Sequence, residues 1–350
     1  MKAVVYHGKG DLRVEDVTRP EPGPGEMLVR VDACGICPTD LKKIEKGLLP
    51  GPRIFGHEIA GTVAALGPGT RAFREGQRVV VHHHVPCGAC YYCERGLYAQ
   101  CAVYKKNGTT AGFEPSGGGY AEYVLALDWI VARGTIPIPD GVSAGEAAFV
   151  EPVNTCLKAV RKAGVASGES VLVVGQGPIG LLLMQIARVA GAHVLVSDGL
   201  EGRLALARSL GAPVALHAAS DVTGEVRALT GGRGADCALL AAPGQAAFDQ
   251  AVDATRPGGR VLSFAATSPG EGVEVDLGRL TSLEKDLLTA YSSSIELQQE
   301  AAELVFSRTV RVAELVSHRL PVARGREAFE LAMGRAPGTL KVLLDAGAPA

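Results

Sequence analysis

Eight cysteines in a chain of 350 residues ask for a chemical explanation before anything else does. Four fall in one short run, Cys87-Gly88-Ala89-Cys90-Tyr91-Tyr92-Cys93 followed by Cys101. Four thiolates so close in sequence can wrap a tetrahedral Zn2+ and close its shell, which makes such a site structural. The same ligands could hold an iron–sulfur cluster, although the Cys-Pro step of the bacterial run is missing. A second set is dispersed: Cys34 and Cys37 in Cys34-Gly35-Ile36-Cys37-Pro38-Thr39-Asp40, then Gly56-His57-Glu58, then Glu151-Pro152. One Cys, one His and a carboxylate, leaving a fourth position for water or an alcohol, suit a catalytic zinc. His82, His83 and His84 look like a metal tract, but a strand would turn successive rings to opposite faces, and no role is assigned to them.

Gly175, Gly177 and Gly180 spell G-x-G-x-x-G, with Pro178 and Ile179 between them. With 45 glycines in the chain the match alone means little; its place after the apolar run Ser170–Val174 and before a helix gives it weight. The first Gly allows the tight turn, the second lets a pyrophosphate approach the backbone, and the third lets helix and strand pack. The helix N-terminus supplies free N–H groups and partial positive charge. Asp198 closes the next strand, where its carboxylate can accept both ribose hydroxyls and would repel a 2′-phosphate, so NAD is expected over NADP. Arg203 either flanks the adenine or is an ordinary helix-surface arginine.

The elements that position these groups change in texture along the chain. Residues 1–150 are rich in Gly, Pro and short alternating runs such as Met27–Val31 and Arg78–Val81, the pattern of a β-rich domain. From Glu151 to about 295, strands alternate with helices, which implies a parallel sheet covered on both faces. Its last strands are expected at Arg260–Ala265 and Asp286–Tyr291, and the tail 296–350 is expected to return to the first domain. A net charge of −2 without a basic block argues against a nucleic-acid partner. The most apolar run, Ile179–Ala187, is interrupted by Gln185 and cannot span a bilayer, and the N-terminus has no signal-peptide pattern. A cytoplasmic protein with reduced thiols is expected.

In chain order, Cys37–Asp40, Gly56-His57-Glu58, the four-cysteine run, Glu151-Pro152 and the Gly175–Gly180 turn resemble the zinc-containing medium-chain dehydrogenase/reductase family, nearer its sorbitol and threonine dehydrogenase branch. The likeness covers nearly the whole chain. It implies an α/β protein with a GroES-like catalytic domain and a Rossmann doubly wound sheet. By that resemblance Cys37 and His57 ligate the catalytic zinc, with either Glu58 or Glu151 as third ligand and the other reaching the metal directly or through water. Asp40 would hold the His57 ring nitrogen. Thr39 would bond the substrate oxygen and start the proton relay, and Thr155 would pack on the nicotinamide. Zinc would act as Lewis acid while hydride passes from the alcohol to NAD. Cys34, Cys156 and Cys237 are then buried small hydrophobes.

Two departures stand out: Lys42 where many relatives finish the relay with a His, and Pro38 where the polyol branch commonly has Gly. The proton would leave through water, a ribose hydroxyl or Lys42. Tyr104, Tyr291 and Arg319 are candidates to line the pocket. Two carboxylates near zinc point to a polyol, sugar or cyclitol; L-threonine or a simple secondary alcohol is the alternative. A non-catalytic dinucleotide-binding relative or a zinc-free reductase is disfavoured by the zinc ligands. The family precedent for assembly is a homotetramer or homodimer.

Overall fold

A computed structural model of the chain describes residues 1–106, 108–113, 117–265, 272–334 and 336–345. They divide into two compact units. The first holds Met1–Asn154, Ser293–Arg308 and the chain from Val312 onward; the second holds Thr155–Ser292 and Thr309–Arg311.

The first unit is built on a mixed sheet whose middle strand is Met27–Gly35. Met27, Leu28, Val29 and Val31 are buried and Arg30 alone in the strand is exposed, so most of it is covered on both faces. Met27–Gly35 pairs antiparallel with Glu58–Leu66, with Tyr123–Ala126 and, at its C-terminal end, with Lys341–Asp345. Glu58–Leu66 pairs in turn with Arg78–Val81. The register sets Gly35 opposite both Glu58 and Leu343, so three strands distant in sequence end side by side at one place. Val29, Val31, Ile59, Val63, Val79, Val81 and Val124 fill the core between them. Each such side chain stabilises the fold by about 1.5–3 kcal/mol relative to leaving it exposed.

The second unit is a six-stranded parallel sheet in the order Val214–His217, His193–Asp198, Ser170–Val174, Ala235–Leu240, Thr255–Ser263, Asp286–Thr289. This is a doubly wound Rossmann order, in which ligands bind beyond the carboxyl ends of the strands where the winding reverses. The reversal lies between Ser170–Val174 and Ala235–Leu240, the two innermost strands, and the glycine turn follows the first of them. Their apolar runs are buried throughout, as a sheet covered on both faces requires. Three strand boundaries differ from expectation, the first being the end of the fifth strand, at Ser263 rather than Ala265. The fifth strand starts at Thr255 rather than Arg260, because Thr255 already pairs with Ala235 and a bulge absorbs the intervening residues. The sixth ends at Thr289, where its pairing with Ser263 stops. Among the described residues no helix is long and apolar enough to cross a membrane.

Candidate active site

Cys37 sits at the N-cap of the helix Pro38–Lys46, with extended backbone (φ −92°, ψ 133°) and Pro38 in the first turn. Proline is suited to that position because its φ is preset and its missing N–H would have had no partner. The helix turns Asp40 inward, where it is only 1% exposed. Asp40 Oδ2 lies 3.1 Å from His57 Nδ1 and accepts the Tyr120 hydroxyl at 3.1 Å. Tyr120 Oη in turn accepts the Cys37 N–H at 3.2 Å, which ties the thiol's backbone to the same centre. Burial would raise the Asp40 carboxyl, but His57, Lys43 and the Tyr120 hydroxyl hold it far below the usual carboxylate range. Burial likewise works against a charged His57, yet Asp40 and the Cys37 sulfur raise its pKa well above the usual value.

The ligand atoms of Cys37, His57 and Glu58 lie within 4.8 Å of one another. Sulfur, imidazole and carboxylate form a donor set that suits zinc. Glu58 is buried, and both its oxygens lie 2.7 Å from Lys341 Nζ. Burial lowers the pKa of Lys341, but the Glu58 carboxylate overrides it and the net shift is upward. Glu151, 8% exposed in the first turn of the helix Val150–Lys162, adds to that upward shift, so its charge bears on the same centre. Glu151 is not in the three-residue cluster. Thr39 is exposed in the first turn of the Cys37 helix, and Lys42 is half-buried on it.

Sequence reasoning missed Lys341 and Tyr120. The signal for Lys341 was present as one cation in an otherwise apolar strand, Leu340–Leu344, since a buried charge needs a partner.

The sulfurs of Cys87, Cys90, Cys93 and Cys101 form a second cluster within 4.8 Å. Three separations are 3.5 Å (Cys90–Cys93), 3.7 Å (Cys87–Cys101) and 3.9 Å (Cys87–Cys93). A tetrahedron with Zn–S bonds of about 2.3 Å places its sulfurs about 3.8 Å apart, whereas a disulfide needs about 2.05 Å. The geometry is that of a four-thiolate metal site. Burial raises the Cys101 thiol, but the backbone N–H groups of Cys87, Val103 and Tyr104 bring it to about 6.

The three consecutive histidines lie beyond the end of the strand Arg78–Val81 and do not alternate as strand residues would. His83 stacks on His57 (ring centroids 5.0 Å apart, planes at 19°), and His84 packs against His83 at 3.5 Å. Burial keeps all three neutral, with the His82 pKa lowered to about 4. Nδ1 of each is buried without a hydrogen-bond partner among the described residues, at a cost of about 1–3 kcal/mol apiece. Tyr104 is buried and stacks on His84 at 4.4 Å. Of the other pocket candidates, Tyr291 is 57% exposed in the second unit, and Arg319 is exposed in the strand Val316–Pro321.

In the second unit each motif glycine has a visible reason. Gly175 is left-handed at φ 92°, and a Cβ there would strike Ala242. A Cβ on Gly177 would meet nothing nearer than Arg203 Nη1 at 3.9 Å, so this backbone is open to a ligand. A Cβ on Gly180 would collide with the Gly175 carbonyl. Gly177 caps the helix Pro178–Val189 with no side chain on the first amides, leaving the N-terminus around Pro178 and Ile179 available to an anion. Asp198 is 7% exposed and accepts the N–H of Gln176 at 2.6 Å and of Leu200 at 2.8 Å. It therefore holds the turn in shape, with a second lone pair on each oxygen left over. Arg203 Nη1 is 3.8 Å from Asp198, and its buried Nε has no partner among the described residues. Thr155 is half-buried and belongs to this unit.

Residues 23–140 match the alcohol dehydrogenase GroES-like domain family, and residues 178–307 match the zinc-binding dehydrogenase family. The chain is 33% identical to the L-threonine 3-dehydrogenase of Pyrococcus abyssi over 341 residues, covering 94% of each. It is 29% identical to the human sorbitol dehydrogenase over 343 residues, 94% of this chain and 91% of that one. A Sinorhizobium meliloti protein assigned to the zinc-binding dehydrogenases and solved with NADP superposes with a TM-score of 0.87 at 30% identity, over 98% of both chains.

Proposed function

The chain belongs to the zinc-containing alcohol dehydrogenases, and from that premise we propose that it transfers a hydride between a polar secondary alcohol (a polyol, sugar or cyclitol) and NAD. The observation that carries this reading is the convergence of Cys37, His57 and Glu58 with Asp40 behind the imidazole. When bound, the metal supplies Lewis-acid polarisation of the alcohol oxygen and the nicotinamide supplies the hydride acceptor. The chain's own residues do the rest. Cys37, His57 and Glu58 hold the catalytic ion, and Cys87, Cys90, Cys93 and Cys101 hold the structural one. Asp40 accepts the His57 Nδ1 proton and so directs Nε2 to the metal. Lys341 offsets one charge of the anionic ligand set. Thr39 receives the alcohol proton and passes it outward, with water, a ribose hydroxyl or Lys42 as exit. Gly175, Gly177 and Gly180 admit the pyrophosphate to the backbone, Asp198 accepts the ribose hydroxyls, Arg203 flanks the adenosine and Thr155 packs on the nicotinamide. Glu151, near Lys341, is the second carboxylate of a polar site.

The test is NADH formation against polyols, cyclitols, L-threonine and simple secondary alcohols, with and without a chelator. Chelator-sensitive NADH formation on a polyhydroxy substrate is the expected result. Turnover of L-threonine alone would favour the second reading, which the 33% identity to the Pyrococcus enzyme supports. No NAD binding at all would sink the proposal. The reading extends to a reducing, cytoplasmic setting, which eight cysteines outside any disulfide suit. It also extends to a homodimer or homotetramer joined along the strand Asp286–Thr289, one of the two outer strands of its sheet.

A further inference from the structure

The histidine tract has no part in the mechanism so far, yet it surrounds the imidazole the mechanism depends on. Asp40 holds one edge of His57 through Nδ1. That bond, with the Cys37 sulfur beside the ring, fixes directions in the ring plane and does little to set the tilt of the plane itself. The opposing constraint must come from a contact on the ring's face, and His83 provides it, stacked at 5.0 Å with planes 19° apart. His83 is itself 1% exposed and braced by His84, whose ring centroid is 3.5 Å away with its plane tilted by 43°. His84 lies on Tyr104 at 4.4 Å with planes only 8° apart. Tyr104 is anchored in turn: its hydroxyl donates to the Ser293 carbonyl at 3.2 Å, and its ring packs in one cluster with Cys93 and Cys101. An unbroken column of rings thus runs from the four-cysteine lobe to His57.

We propose that His83 is a positioning residue for His57, fixing the plane of the metal-ligating ring, with His84 and Tyr104 as the brace that ties that plane to the four-cysteine lobe. The inference rests on the assignment of His57 as a zinc ligand. Supporting groups of this kind change metal affinity by about 10–100-fold when lost.

The experiment is zinc release from the metal-loaded protein to a chromophoric chelator, followed in time. His83→Leu removes the flat face; His83→Phe keeps a ring and removes the nitrogens. In His83→Leu the catalytic ion is expected to leave about ten-fold faster, with the four-cysteine ion unchanged. His83→Phe is expected to restore slow release. Unaltered release from His83→Leu, or release from His83→Phe as fast as from His83→Leu, would overturn the proposal. If His83→Leu does not fold, as judged by circular dichroism, His83→Phe decides alone: slow release supports the column and fast release refutes it. His57→Ala separates the two levels of argument. Retention of both zinc ions there would remove the ligand assignment itself, whereas loss of one ion leaves the column to stand or fall on His83.

Discussion

Glu58 is claimed from two sides, by Lys341 at 2.7 Å and by the metal that Cys37 and His57 would share with it. Both partners of the ion pair are 3% exposed, so neither charge can fall back on water. Removing one partner of a buried pair costs about 3–5 kcal/mol, because the other is left uncompensated. Lys341→Met should therefore lower the thermal stability of chelator-treated protein by roughly that amount, and the zinc-loaded protein by less, since the ion replaces the lost positive charge. Equal losses in both forms would show that Glu58 does not face the metal. Asp198 shapes the turn through Gln176 and Leu200, and in the proposed reading its charge also faces the ribose. Asp198→Asn keeps the size and one acceptor but removes the charge. Initial rates with each cofactor should show kcat/KM for NAD falling and that for NADP rising, so that their ratio shifts by about 10–100-fold, the value of a charge-assisted hydrogen bond. An unchanged ratio would mean that another group sets the preference.

At the scale of elements, the helix Ala144–Ala147, just before the helix that carries Glu151, is fixed by a capping box. Glu146 N–H donates to Ser143 Oγ at 3.2 Å, while Ser143 N–H donates to Glu146 Oε2 at 2.9 Å. Arg308, from the return of the chain, adds a bond to Glu146 Oε1 at 2.9 Å. Burial opposes ionisation, but Arg308 and Ser143 hold the Glu146 pKa below its ordinary 4.5. A carboxylate depressed in the folded state stabilises it above the unfolded pKa and loses that contribution as pH falls through the folded value. Glu146→Gln should cost about 1 kcal/mol at neutral pH, the usual worth of a cap, since Arg308 is largely exposed and adds little. The gap between the two proteins should narrow as pH falls below the ordinary carboxylate value of 4.5 and close once pH is under the depressed folded value, as read from denaturation curves. A gap that stays constant into acid would leave only the shape of the side chain at work. The cap at Ser143 went unread, but the glycine turn was legible in the sequence because its signals are local. Strand, glycine turn, helix and Asp198 follow within one βαβ unit, and each glycine answers a steric demand set by its neighbours. The histidine tract was not legible: alternation applies only inside a strand, and the strand stops at Val81.

Over the whole molecule, what sequence reasoning could not supply is long-range. Lys341 is separated from Glu58 by 283 positions and meets it only because the C-terminal strand adds beside Met27–Gly35. Spacing within a motif carries no trace of such a pairing. Assembly is the next step of the same kind, and of the two outer strands of the parallel sheet Asp286–Thr289 is where it should occur. Asp286–Thr289 pairs on one side with Thr255–Ser263, and among the described residues no strand pairs with its other edge. Leu287 is 41% exposed and Tyr291 57% exposed, more apolar surface than an unprotected edge usually shows. In a two-fold dimer built on this edge the patch meets itself, so one substitution is felt twice. Leu287→Glu would bring two carboxylates together in the interface, a like-charge arrangement that costs several kcal/mol and should weaken association by at least about 100-fold. Light scattering across a dilution series should then show the variant as a monomer at concentrations where the unaltered chain is dimeric or tetrameric, with NAD binding retained. A variant that stays assembled would move the interface away from this edge and leave Leu287 and Tyr291 without a partner to explain them.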